Sequence, residues 1–190
     1  MKKFLIFLSL VSILSAQEVV SEGKVLVNGV VLTKETKIKR GDTIETKASS
    51  KIRFNVGADA FMAKSNTKFQ LEVVGKKNVL NVINGGVMAV FGKGNHSIST
   101  SNMTAGIRGT GTFTKVEDGK TYFCTCYGHT DYLALGEKHD MKATHHNMVW
   151  ITKDKIKPTM DMEFHNDADL RVLEAMVGRE PYFDKQGFVK

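Results

Sequence analysis

The chain contains two cysteines. They stand two apart, Cys124 and Cys126, in the run Tyr122-Phe123-Cys124-Thr125-Cys126-Tyr127-Gly128. In a strand, residues i and i+2 point to the same face, so the two thiols sit side by side. Full extension holds their Cα atoms about 6.5 Å apart, which makes an unstrained bridge awkward. Four fates are open to the pair. They form a strained local disulfide, or one made after a local twist; they remain buried free thiols; they serve a metal or redox role; or they bond between molecules. A strained bridge is readily reduced, which is how a redox switch works. Of six histidines, five follow residue 128: His129, His139, His145, His146 and His165. With the cysteines they offer the nitrogen and sulfur donors that zinc and copper use. His145 and His146 are the candidate metal pair. Their spacing fits no zinc template, however, and in a strand they would face opposite sides. Surface or hydrogen-bonded histidines are the default, and no cofactor is expected.

Upstream lies Gly106-Ile107-Arg108-Gly109-Thr110-Gly111. The order G-x-x-G-x-G is not the dinucleotide fingerprint, and no βαβ pattern surrounds it. It reads as a bend that permits close backbone approach, with Thr110 and Thr112 opening a strand. Arg108 pairs either with a carboxylate of the fold or with an anionic ligand. Arg108, Thr110 and Tyr127 are the candidate binding residues. The motifs G-x-S-x-G and H-E-x-x-H are both absent, and no catalytic residues are assigned. The chain is expected not to be an enzyme.

These residues need elements to position them, and the elements read as strands. Lys51 to Val56 places Ile52, Phe54 and Val56 on one face, and Lys68 to Val74 aligns Phe69, Leu71 and Val73. Lys24 to Val31, Val79 to Ile83, Val87 to Phe91, His96 to Thr100, Gly111 to Val116 and Thr121 to Tyr127 continue the pattern. Alternating β-branched and aromatic residues between Gly, Asn and Asp are the strand signal. Asn28-Gly29, Asn84-Gly85, Asp118-Gly119 and Arg40-Gly41-Asp42 supply residues that tolerate the positive φ of tight turns. The expected class is all-β, with many short strands arranged as a β-solenoid or sandwich, and a short C-terminal α-helix. Asn166 to Val177 is the helical stretch. Asn166 or Asp167 caps it, Leu170, Leu173 and Val177 form its apolar face, and Gly178 ends it. The predicted organisation is a leader over 1–16, a β-domain over 17–150 and an extension over 151–190 with a helix at about 167–177.

The N-terminus sets the compartment. Met1-Lys2-Lys3 precedes the apolar run Phe4 to Ser15, 12 residues long. A membrane-spanning helix needs about 20. The pattern is that of a cleaved secretory signal, with Ala16 before the cut at Gln17. Cleavage lowers the formal charge from +7 to +5 by removing Lys2 and Lys3. The remaining lysines are scattered, so no nucleic-acid partner is expected. The chain is expected in the periplasm, and not across a membrane if the signal is cleaved.

Several of these residues resemble the FecR family of envelope signalling domains. The correspondences are Gly23-Lys24-Val25, Gly41-Asp42-Thr43-Ile44-Glu45-Thr46, Phe54 to Ala60, Gly86-Val87-Met88 and Gly106-Ile107-Arg108-Gly109-Thr110. The resemblance covers roughly Gly23 to Tyr132, and the cysteine run, His145-His146 and the terminal helix resemble the tail of a secreted branch. It implies an all-β, solenoid-like periplasmic domain. In full-length members that domain relays a signal from an outer-membrane transporter toward a sigma factor. This chain shows no anti-sigma segment, so what the resemblance implies here is a binding module for an envelope protein or glycan. The alternatives are a metal- or redox-responsive envelope protein using Cys124, Cys126 and nearby histidines, and a structural component of envelope assembly.

Overall fold

The computed structural model describes residues 17–185. The predicted leader over 1–16 lies outside the described residues. The chain is mostly β, as the alternation predicts, with two short C-terminal helices. In chain order the first strands are β1 (Val19–Glu22), β2 (Val25–Val27), β3 (Val30–Val31), β4 (Thr43–Thr46) and β5 (Lys51–Val56). There follow β6 (Asp59–Ala63), β7 (Lys68–Val74), β8 (Lys77–Val90), β9 (His96–Ser99) and β10 (Thr104–Glu117). The series ends with β11 (Lys120–Ala134), β12 (Glu137–Ala143), β13 (Asn147–Ile151) and β14 (Ile156–Thr159). All fourteen join one hydrogen-bonded sheet, antiparallel except for the pair β8–β9.

That sheet folds over on itself because β8, β10 and β11 change neighbours midway. The first part of β8 pairs with β7 and β9, and its last part pairs with β6 and β10. The strand β10 lies first beside β9 and then beside β8. The strand β11 lies first beside β13 and then beside β12. One layer therefore carries β2, β3, β4, β7, β9 and β12, the other carries β1, β5, β6, β13 and β14, and the three long strands pass between them. Strands that switch layers need a local kink, and bulges supply it. In β8 the kink is at Gly85, whose φ is +79° and whose Cβ would lie 2.5 Å from the Cα of Thr67. In β11 it is at Gly128, with φ +92° and Thr110 Cγ2 at 2.5 Å from the same position. A side chain at Gly85 would force backbone movement and one at Gly128 would displace buried Thr110, and both φ values favour glycine.

Two expectations change here. Asn84-Gly85 is not a hairpin turn, and residues 106–111 do not precede a strand. Both lie inside continuous strands, each with a register shift alongside. A positive-φ glycine serves a bulge as readily as a turn, and the local sequence does not distinguish them. Asn28-Gly29 and Asp118-Gly119 do form tight turns, with positive φ at both residues of each pair.

The main core lies between the layers. Phe54 packs 5.5 Å from Phe61 and stacks 6.3 Å from Phe69, with Ile44, Leu71, Ile98 and Phe123 around them. A second cluster sits on the outer face of the other layer. It joins Met88, Val90, Phe113, Tyr122, Cys124 and Cys126 to Leu170 and Leu173 of α1 (Asp167–Met176) and Phe183 of α2 (Tyr182–Lys185). Asn166 caps α1 by accepting from the Asp169 amide at 2.9 Å, and Asp167 and Asp169 occupy the positive end of its dipole. Residues beyond Trp150 continue the sheet, since β14 pairs with β13. Among the described residues no helix is long and apolar enough to cross a membrane.

Candidate metal centre

Alternation along β11 places the cysteines. Phe123 enters the inner core, while Tyr122, Cys124 and Cys126 face the outer cluster. Both cysteines are fully buried free thiols, their Sγ atoms 3.6 Å apart. Local pairing of side chains on one face is thus what the C-x-C spacing predicts.

The histidines arrive differently from expectation. His145 and His146 lie in the tight connection between β12 and β13, not in a strand, and His146 has φ +50°. Its amide donates to the Cys126 carbonyl at 2.8 Å, and the left-handed turn carries its ring over the cysteines. Nδ1 of His146 lies 3.3 Å from Cys124 Sγ. The two rings therefore do not face opposite sides; their centroids are 4.6 Å apart. His145 stays outside the thiol cluster, 38% exposed in its side chain, and contacts Asp167 Oδ1 at 3.0 Å. The fourth donor is His165, from the segment leading into α1. Its Nε2 is 3.8 Å from Cys126 Sγ, and its ring stacks on Phe113 at 4.5 Å. The donor atoms of Cys124, Cys126, His146 and His165 all lie within 4.8 Å of one another.

Two thiols and two imidazoles converging on one buried point are the donor set of a closed zinc site. A tetrahedron with Zn–S about 2.3 Å and Zn–N about 2.0 Å separates two sulfurs by about 3.8 Å and a sulfur from a nitrogen by about 3.5 Å. The observed 3.6 Å, 3.3 Å and 3.8 Å straddle those values. The far nitrogen of each ring is also anchored, as in metal-binding histidines. His146 Nε2 meets Asp167 Oδ1 at 2.8 Å, and His165 Nδ1 donates to the Glu163 carbonyl at 2.8 Å. Those contacts leave His146 Nδ1 and His165 Nε2 turned toward the sulfurs.

The electrostatics fit the same assignment. Burial pushes the Cys126 thiol well above its ordinary pKa, and Cys124 adds to the rise, while His146 and His165 oppose it. A desolvated pocket resists thiolate charge unless a cation compensates it. Two thiolates and one divalent ion sum to zero, whereas a monovalent ion would leave a buried negative charge. Burial favours neutral His146, but Cys126 and Asp167 outweigh it and raise its pKa.

The candidate binding residues Arg108, Thr110 and Tyr127 do not converge. Arg108 is on the surface, 68% exposed in its side chain, and pairs with Asp131 at 2.8 Å. Thr110 is fully buried beside the Gly128 kink. Tyr127 is buried and donates to Glu174 of α1, whose other oxygen accepts from Arg179 at 2.7 Å. Sequence reading counts His165 among five candidate nitrogen donors without singling it out, names Asp167 only as a candidate cap of the helix, and assigns no role to Glu174. The signal for a metal site is the Cys-x-Cys pair followed by histidines; which of them reach the thiols is set by the turn at His146 and the return of the chain to His165.

Comparison with known proteins bears on the fold. A crystal structure of a candidate anti-sigma factor from Parabacteroides distasonis superposes with a TM-score of 0.58 at 9% identity, over 68% of this chain and 64% of that one. The chain therefore spans less than two thirds of that protein, and the likeness is one of fold. A second structure of such a protein from the same organism gives a TM-score of 0.41 at 8% identity, over 71% of this chain and 59% of that one. The S4 domain family matches residues 3–44, a minority of the chain. The described part of that stretch supplies Val25, Val27, Ile38 and Ile44 to the main core rather than forming a separate unit. No curated protein matches the chain.

Proposed function

We propose that this chain is a FecR-like binding module of the bacterial envelope that holds one zinc ion at Cys124, Cys126, His146 and His165. The observation that carries the reading is the convergence of those four donors within 4.8 Å in a buried pocket. Four protein ligands with anchored far nitrogens make a closed site, suited to holding structure rather than to activating water. The role is therefore binding and signalling, not catalysis. Binding zinc displaces a proton from each cysteine to solvent and forms two Zn–S and two Zn–N bonds.

The leader pattern and the FecR resemblance support a periplasmic location. The fold shared with a candidate anti-sigma factor supports a regulatory setting, with an envelope protein or glycan as partner and no nucleic acid. The sequence reading expects no cofactor but keeps a metal-responsive protein using Cys124, Cys126 and nearby histidines as an alternative; the zinc reading takes up that alternative and adds His165 as the fourth donor.

Native mass spectrometry of the full secreted chain, purified without a histidine tag, tests the site. The expected result is a mass increase of one zinc per chain, lost on chelation and absent in Cys126→Ser. A metal-free mass unchanged by added zinc would overturn the reading.

A further inference from the structure

We infer that the metal is a latch: its occupancy holds the segment from Asp161 to Lys185 against the sheet. The inference rests on the zinc reading above and extends it to regulation. Three donors belong to the sheet, Cys124 and Cys126 on β11 and His146 in the β12–β13 turn. The fourth, His165, comes from the terminal segment, 39 residues from Cys126 in sequence. Asp167, the first residue of α1, adds a second tie through His146 at 2.8 Å and His145 at 3.0 Å. The centre thus bridges two parts of the chain that backbone pairing does not join.

Apart from the metal centre, the helix is held by Leu170 and Leu173 in the outer cluster, by Glu174 with Tyr127, and by Asp169 with Lys64 at 2.7 Å. Ten residues are too few for a helix to persist alone in water. Of its residues only Leu170, Leu173 and Glu174 are fully buried. The remaining ties of the segment are side-chain contacts and not backbone pairing; Arg179 donates to the Phe91 carbonyl at 3.1 Å and Lys64 to the Phe164 carbonyl at 3.1 Å. The Asp161 carbonyl accepts from Tyr122 Oη at 3.3 Å, and Trp150 Nε1 donates to Glu163 at 3.3 Å. Three of the segment's side chains also wall two clefts. Asp169 and Val172 close a cavity of about 490 Å³ against Arg53, Met62 and Lys64. Phe164 closes one of about 310 Å³ against Phe113 and Lys115. Docking the segment shapes both, so metal occupancy decides what ligand surface this layer presents.

Hydrogen exchange of the full chain, with zinc and with a chelator at one pH, reads the latch directly. Native mass spectrometry of the same samples reports the metal. Peptides over 161–185 should exchange about tenfold faster or more without zinc, while those over 51–90 keep their protection. Trp150, the single tryptophan, should change its fluorescence in step. In His165→Asn the segment should stay unprotected even at saturating zinc. Zinc bound with unchanged protection of 161–185 would overturn the latch and leave the site standing. Failure to bind zinc would overturn both. Loss of protection across the whole chain on chelation would overturn the latch as a local device.

Discussion

Phe123 and Cys124 are neighbours on β11 and point into different kinds of interior. Phe123 enters a core of Phe54, Phe61, Phe69 and aliphatic side chains supplied by both sheet layers. Cys124 enters a cluster closed by a helix, where sulfur, imidazole, phenol and carboxylate groups are buried together. The first interior is stabilised by removing apolar surface from water, which needs no particular partner at any one position. The second depends on specific pairs. Each buried polar group there must find its counterpart, or its desolvation is uncompensated. One strand thus separates a core built on apolar burial from a cluster built on specific polar pairs.

Matched substitutions on the two faces should separate them. Phe61→Ala should cost about 3–5 kcal/mol, by the same amount with zinc or with chelator, as a cavity in a packed core does. Cys126→Ala should cost about 1 kcal/mol in chelator and should forfeit all zinc-dependent stabilisation. Denaturant melts of both variants under both conditions check this. Equal metal dependence in the two would erase the distinction.

A smaller effect is expected at the polar tie of α1. Glu174 is 1% exposed and joins Tyr127 to Arg179. Glu174→Gln removes the charge and weakens both contacts, at about 1–3 kcal/mol, and zinc should not rescue it. Its thermal midpoint with and without zinc would show whether this tie and the metal act independently.

Arg108→Ala should give the least change. The pair with Asp131 is exposed, and such pairs contribute at most about 1 kcal/mol. Unaltered melting together with weakened binding of an envelope extract would mark Arg108 as a displayed contact. Lost stability would instead assign it to the fold.

The two regions were also unequally legible in sequence. Ile52 and Phe54 alternate with polar residues, and that period alone assigns them to a core face. Cys124 and Cys126 could be placed on one face by the same rule. The rest of the centre could not. His146 faces the thiols because it adopts a left-handed turn, and strand periodicity predicts the opposite for adjacent histidines. His165 is brought in by the return of the chain after β14, a long-range event that no local pattern encodes. Asn84-Gly85 carries the composition of a hairpin turn, yet close approach to Thr67 makes it a kink within β8. Local chemistry specified which residues could bend or bind; tertiary packing determined which did.

X-ray absorption at the zinc edge of the untagged, zinc-loaded chain reads the four donors themselves. About two sulfurs at about 2.3 Å and two nitrogens at about 2.0 Å are expected, with the sulfur shell reduced in Cys126→Ser. A spectrum holding only oxygen and nitrogen neighbours, or zinc lost on desalting, would contradict the four-donor site.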